Sequence, residues 1–237
     1  MDNKKIAIMQ PYLFPYIGYF QLIKSVDLFV FYNDVNYIKQ GWINRNKILL
    51  NGKEFSFSAP VSNVSSFRKI KDTKIHKDLF PIWRSKFLRT IEQAYSKAPY
   101  YVSTKEMIAD VLFKPYLDIC SFAVDSNRLI CSYLGINTEF KLSSEEYPNN
   151  HLSASDRIVD ICFREQARIY INPPGGLHLY DKNSFNNVGL NLYFLIPNLS
   201  KYNQFGNPFV PWLSIIDVLM FNSVFEINCH LNNYELS

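Results

Sequence analysis

Ile6-Ala7-Ile8-Met9 is an uninterrupted apolar run near the start of the chain, the pattern of a strand buried on both faces. Gln10-Pro11 breaks the run, and Pro15 suits the first turn of a helix, where a missing N–H costs nothing. Gly18, Leu22 and Val26 then fall on one helical face with Ile23 beside them. After Asp27, Leu28-Phe29-Val30-Phe31-Tyr32 reads as a second strand. Strand, helix and strand at this spacing predict a right-handed βαβ unit. In open parallel sheets ligands sit beyond the carboxyl ends of the strands. The search for a site therefore starts at Gln10-Pro11-Tyr12 and Asn33-Asp34, and at Gly18, a small residue that a ligand or another backbone can approach closely.

The pattern continues with Ile48-Leu49-Leu50, then Asn51-Gly52, then Glu54 to Ala59 with Phe55, Phe57 and Ala59 alternating against polar neighbours. This predicts a hairpin with one buried face, because Asn-Gly supplies the positive φ angles of a two-residue turn. Residues 62–75 are polar and read as a loop with a short strand at Lys74-Ile75. From Lys77 to Ala98, Ile82, Trp83, Phe87, Leu88, Ile91, Ala94 and Tyr95 recur at helical spacing, and Pro99 closes the helix. Ser103 and Glu106 match a capping box for a helix from Thr104, interrupted at Pro115 and resumed from Asp118 to Leu134, with Gly135 just past its end. Strands are predicted at 136–142, 168–172 and 190–195, and helices from Ser153 to Ala167, near 182–186 and over 213–221, while Phe225 to Ser237 reads as a tail with limited structure. The whole predicts an α/β fold: a Rossmann-like, mainly parallel sheet with a β-hairpin and a mostly helical segment at 76–135, in one domain spanning 1–237.

Length and composition narrow the classes. At 237 residues with 48% hydrophobic and 19% charged residues, the chain has an ordinary globular balance and enough apolar content for a large core. The net charge of +4 is spread out, without the basic stripe of a specific nucleic-acid binder. No apolar run reaches the roughly 18 residues of a membrane span, and the opening Met1-Asp2-Asn3-Lys4-Lys5 predicts no signal peptide. Cys120, Cys131, Cys162 and Cys229 are scattered, and neither they nor the four histidines show zinc-ligand spacing. A reduced, cytoplasmic protein acting on a small molecule is the expectation.

Two further stretches carry candidate chemistry. Tyr37 to Lys47 mixes Lys39, Trp42, Asn44 and Arg45. Arg45 can fork onto a phosphate or carboxylate, Lys39 can act as a point charge and Trp42 offers a stacking face. The competing structural role pairs Arg45 with Asp34 or Asp27 and uses Trp42 to plug the sheet edge. In Asn172-Pro173-Pro174-Gly175-Gly176-Leu177-His178-Leu179-Tyr180, the glycines allow close backbone approach, Asn172 and Tyr180 can bind, and His178 is a speculative base. Ser153, Ser155 and Arg157, at a helix start, can hold a phosphate or simply cap and solvate that helix. Tyr202 and Gln204 open an aromatic loop suited to folding over a site, and Ser214 and Asp217 lie close together without a histidine to make a triad.

Met9 to Ile23 reads MQPYLFPYIGYFQLI, and Tyr32 to Gly52 reads YNDVNYIKQGWINRNKILLNG. With INPPGGLHLYDKNSF from Ile171, YNQF from Tyr202 and FVPWLSIIDVLMFNS from Phe209, these blocks resemble the WbqC-like family, in order and over nearly the whole chain. The resemblance implies a place in bacterial surface-polysaccharide synthesis (O-antigen or capsule) and an N-acyl or aminoacyl transferase, with glycine suspected, acting on an amine of a nucleotide-linked sugar. Under that reading Asp34 and His178 are the available bases. Asn172 and the N–H groups of Gly175 and Gly176 are oxyanion donors, and Lys39 and Arg45 hold phosphates. The opening also resembles nucleotidyltransferase-like Rossmann domains, pantothenate synthetase among them. Those carry a His-x-Gly-His-type signature where Tyr16-Ile17-Gly18-Tyr19 stands here. An ATP-dependent amide ligase, using ATP with Mg, is therefore the alternative enzyme, and a non-catalytic scaffold of polysaccharide assembly is the third reading. The acyl donor, the sugar, any cofactor and the oligomeric state stay open.

Overall fold

The computed structural model describes residues 3–152 and 154–237. The apolar run forms strand β1 (Lys5–Met9), followed by helix α1 (Ile17–Lys24) and strand β2 (Leu28–Phe31), which pairs in parallel with β1. Helix α1 begins two residues after Pro15, which stands before Tyr16 at the N-cap. The hairpin is β3 (Arg45–Leu50) and β4 (Lys53–Ser58), and Asn51 and Gly52 take φ of 52° and 73° at its turn. Its buried face is narrower than the alternation suggests, since Phe57 and Ala59 are buried and Phe55 is exposed.

The predicted helical segment is α2 (Leu79–Tyr95), α3 (Tyr101–Leu112) and α4 (Ile119–Leu134). Phe80, Phe87, Ile91 and Tyr95 bury one stripe of α2, whereas Ile82 is 54% exposed and falls outside it. The expected capping box is not used. Helix α3 starts at Tyr101 directly behind Pro99, so Ser103 lies inside it and its hydroxyl donates to the Tyr100 carbonyl. Asp118 caps α4 by accepting from the Ser121 N–H at 2.8 Å, and Gly135 ends it at φ 70°.

Strand β5 (Glu139–Leu142) and the single turn α5 (Ser143–Glu146) precede α6 (Ala154–Arg164), whose predicted cap Ser153 lies outside the described residues. The helix ends at Arg164, three residues short of the expected Ala167. Strand β6 (Ile169–Asn172), helix α7 (Lys182–Asn187), strand β7 (Asn191–Pro197) and helix α8 (Ile215–Phe221) follow as predicted in kind and order. The C-terminal stretch departs from expectation. It forms α9 (Val224–Leu231) and β8 (Tyr234–Leu236), which pairs antiparallel with β7. The signal for it is a capping box: Glu226 accepts from the Ser223 N–H at 2.7 Å while the Glu226 N–H donates to Ser223 Oγ at 3.2 Å. Ile227 and Leu231, four apart, are then buried.

The strands lie in the order β5-β2-β1-β6-β7-β8, and the first five are parallel. Numbered by chain order, the parallel strands run 3-2-1-4-5, the Rossmann arrangement, with the order reversing between β1 and β6. The sheet is buried on both sides, and alternation sorts its residues. Ala7, Phe29 and Phe31 join the core that includes residues of α1, α2, α4 and α8, while Ile6, Ile8, Leu28 and Val30 join the one made with α6, α7 and β7. No described helix is long and apolar enough to cross a membrane.

The C-terminal helix belongs to the main core, which predicts that Leu231→Ala, at a fully buried site, lowers unfolding free energy by roughly 2–5 kcal/mol. Urea titration measures this, and a change within 0.5 kcal/mol would restore the loose-tail expectation.

Candidate functional site

Beyond the carboxyl end of β1 the chain makes a tight turn in which Phe14, a bulky buried residue, takes φ 42°. An L-aromatic residue holds that conformation only when its surroundings over-determine it. They do so here. The Phe14 carbonyl accepts from Asn46 Nδ2 at 2.8 Å and from Ser214 Oγ at 2.7 Å. The Leu13 N–H donates to the Trp42 carbonyl at 3.3 Å, the Ile215 N–H to the Pro15 carbonyl at 2.8 Å, and the Ser214 N–H to the Lys47 carbonyl at 2.8 Å. Three distant segments (10–16, 42–47 and 212–215) are thereby bonded into one corner.

That corner carries a cavity of about 280 Å³ lined by Tyr12, Pro15, Tyr16, Trp42, Lys47 and Trp212, with Asn46 at its floor. Trp42 is 41% and Trp212 56% exposed, so the cleft opens between two indole rings. Trp212 stands 5.6 Å from Tyr16 between ring centroids, and the Arg45 guanidinium lies 5.8 Å from the Trp42 ring. Burial pushes the Tyr12 phenol up to about 12 and raises Tyr16 as well, so both are neutral hydroxyls at physiological pH. Gly18 is approached by a side chain: a Cβ there would meet the Tyr16 ring at 2.3 Å. The absent side chain is what lets Tyr16 lie against α1 and form the cleft wall. Among the predicted binding residues, Tyr12 and Trp42 line the cleft and Arg45 flanks it. Tyr16, Lys47 and Trp212 also line it, and their sequence surroundings carry no signal of that, since a wall is formed only when distant segments meet.

The other predicted residues lie elsewhere. Gln10 offers its carbonyl to the Tyr19 hydroxyl at 2.8 Å. Lys39 is exposed on the loop before Trp42. Asn44 is a buried clamp that accepts from the Tyr37 hydroxyl at 2.7 Å and donates to the Ala59 carbonyl at 2.8 Å. At the end of β6, Asn172 is buried against Gly176, where an added Cβ would lie 1.8 Å from Asn172 Nδ2. The Gly176 N–H donates to the Pro173 carbonyl at 3.0 Å. Tyr180 packs edge-on to Tyr170 and Phe185. Gly175 and His178 are exposed nearby, and neither lines the aromatic cleft.

Asp34 is not paired with Arg45. Its carboxylate accepts from the Ser143 hydroxyl and, at 2.6 Å, from Arg157 Nη2, and both charged side chains are buried. Arg157 in turn donates to Asn149 at 2.8 Å and lies over the Tyr32 ring. Burial pushes Asp34 up, but the bonds from Arg157 and Ser143 outweigh it and hold the carboxyl below its ordinary value. Both oxygens are committed, so this group welds the ends of β2 and β5 to α6.

Tyr202 and Gln204 converge on Asp217, a fully buried carboxylate in the first turn of α8. Gln204 Nε2 donates to it at 2.8 Å, and the hydroxyls of Tyr202 and Tyr95 each donate at 3.3 Å. Gln204 also accepts from the Val210 N–H at 2.7 Å and donates to the Val210 carbonyl at 3.2 Å, pinching the 204–210 loop shut. Burial without a cationic partner raises Asp217 to about 7.

The model of the WbqC-like protein family matches residues 10–229. The chain belongs to that family. It is 32% identical over 223 residues to the uncharacterized protein Rv1507c of Mycobacterium tuberculosis, covering 91% of this chain and 93% of that one. No solved structure matches it. Three of the blocks that carry the WbqC-like resemblance meet at the aromatic cleft: the first supplies Tyr12 and Tyr16, the second Trp42 and Lys47, and the last Trp212. The block from Ile171 to Phe185 does not reach it.

Two outcomes follow for this WbqC-like chain. Arg157→Met strands a buried carboxylate and should cost about 3–5 kcal/mol in urea unfolding, more than the double variant with Asp34→Asn. Asp217 has a folded value above its unfolded one, near 4, so its contribution to stability is fully present below pH 4 and is lost as pH rises to about 7. Asp217→Asn keeps an acceptor for Gln204 and cannot ionise. The difference in melting temperature, variant minus wild type, should therefore grow between pH 5 and pH 8, and a constant difference would contradict this assignment.

Proposed function

We propose that this WbqC-like chain binds a nucleotide-linked amino sugar in the aromatic cleft and carries out N-acyl, specifically glycyl, transfer to the sugar amine. The observation that supports this is the cleft itself: aromatic faces and neutral phenols gathered at the carboxyl edge of a Rossmann-ordered sheet. Ring faces pack against the C–H face of a pyranose, while phenol tips bond its hydroxyls. The Arg45 guanidinium stands beside the Trp42 ring as the cation available to an anionic diphosphate, whereas the Lys47 ammonium at the rim is ion-paired with Glu54. In the reaction the neutral amine nitrogen attacks the acyl carbonyl, a C–N bond forms, the bond to the donor's leaving group breaks, and the amine proton departs with that leaving group. The neutral phenols of Tyr12 and Tyr16 are the donors available to the carbonyl oxygen as it gains charge.

The ligase alternative draws less support. Tyr16 and Tyr19 occupy the two places where the nucleotidyltransferase-like signature has imidazoles, and the Tyr19 hydroxyl is committed to Gln10. Binding without turnover is favoured by one observation, that Asp34 is committed to Arg157 and His178 stands outside the cleft.

The test pairs binding with product analysis. Trp42→Ala and Trp212→Ala, both at exposed positions, should each weaken binding of a uridine-diphosphate-linked amino hexose about tenfold in calorimetry, with the urea midpoint unchanged. Mass spectrometry of the sugar nucleotide after incubation with activated glycine should find the glycyl amide. Unchanged affinity in both variants would remove the cleft from the reading, and binding without product would select the non-catalytic one.

A further inference from the structure

Behind the Tyr16–Trp212 wall lies a second, smaller cavity of about 20 Å³, room for one water-sized group. Tyr16 and Trp212 line both cavities, so the two share that pair of rings as a common boundary. Four aromatic side chains surround it: Tyr16, Tyr202, Phe209 and Trp212. Among the described residues no lysine or arginine lines it.

Its lining includes Gln21, which is 1% exposed. Gln21 Nε2 donates to two backbone carbonyls, of His230 at 2.8 Å and Asn233 at 2.9 Å. Carbonyl oxygens only accept, so the amide cannot be flipped and Gln21 Oε1 is the free end. That oxygen has no hydrogen-bond donor among the described residues, and a buried acceptor left in this state is destabilising. One hydrogen bond behind the wall, the Tyr202 hydroxyl lies 3.3 Å from the Asp217 carboxylate. Aromatic faces, an unpaired oxygen acceptor, a nearby carboxyl group and no competing cation are together the chemistry that holds an organic ammonium. His230, also in the lining, is half-buried, and desolvation lowers its pKa, which disfavours a positive charge there.

We propose that this inner cavity is an ammonium subsite, in which Gln21 Oε1 and the four rings hold the protonated primary amine of the ligand whose body lies in the cleft. The subsite deepens the amino-sugar reading and rests on it for the identity of that body alone. It accounts for discrimination between an amino sugar and its hydroxyl analogue, which differ at one group.

The test uses methylammonium chloride with the full chain, with methanol and sodium chloride as controls, in an NMR titration that follows the Gln21 side-chain amide and the Trp212 indole N–H. Saturable shifts of both signals are expected with methylammonium, and at least tenfold weaker binding with methanol. Phe209 lines the inner cavity and not the cleft, so Phe209→Leu should weaken methylammonium about fivefold. The same variant should reduce the preference for a uridine-diphosphate-linked amino hexose over the hydroxyl sugar while sparing Trp42-dependent binding of both. Equal affinity for the amino and hydroxyl sugars, with no methylammonium shift at Gln21, would overturn the subsite and mark a one-water cavity, leaving the cleft reading intact. Saturable methylammonium binding without any sugar binding would support the subsite and defeat the cleft reading.

Discussion

Phe14 is held at φ 42° between β1 and α1, and the architecture around the cleft depends on that turn being held. A single left-handed aromatic residue costs on the order of 1–3 kcal/mol. Here the cost is met by side chains from two remote segments, Asn46 on β3 and Ser214 at the start of α8, both bonded to one carbonyl. The arrangement couples the βαβ opening, the hairpin and the closing helix. Each delivers an aromatic ring to the corner, and the rings make a cleft only because the backbone beneath them is bonded into register.

Two buried carboxylates show how burial and partners set different roles. Asp34 has an arginine and a serine and is held ionised, so it acts as a structural acceptor joining strand ends to α6. Asp217 has three neutral donors and no cation, and its raised pKa places it near neutrality. It ties α2, the pinched 204–210 loop and α8 together on the inner side of the Trp212 wall. The Asp34 pair is expensive to break from one side, whereas the Asp217 group is tuned by the pH at which the protein works.

The Rossmann strand order would direct a ligand search to the reversal between β1 and β6. In this chain the end of β6 is occupied by Asn172 lying on Gly176, and the aromatic cavity instead lies toward the hairpin that follows β2. The hairpin insertion thus moves the concave, ring-lined surface to one flank of β1, where Trp42 and Lys47 complete it. A pocket walled by rings with a few polar tips differs from the glycine-rich turn on which such folds hold a dinucleotide pyrophosphate.

Much of the local structure was legible from periodicity. The apolar run of β1, the Asn51-Gly52 turn, the Gly135 stop and the strand at 169–172 follow from propensities that act over a few residues. The C-terminal helix was missed: Ser223 and Glu226 carry its capping box, but a short segment after a strong closing helix carries little periodic signal. For the cleft, residue type and position at a strand's end marked Tyr12, Trp42 and Arg45 as candidates, and the fold brings these three to one corner. Residue type did not foresee the structural contacts of Asn44, Asn172 and Gly18, since a buried clamp and a ligand contact use the same side chains. The pairing of Asp34 with Arg157, 123 positions away, the meeting of Gln204 with Asp217, and the placing of Tyr16 and Trp212 in one wall are long-range facts. They arise when α6 covers the sheet and α8 docks on the β1–α1 turn, and no local pattern encodes which distant partner a buried charge or an exposed ring will find.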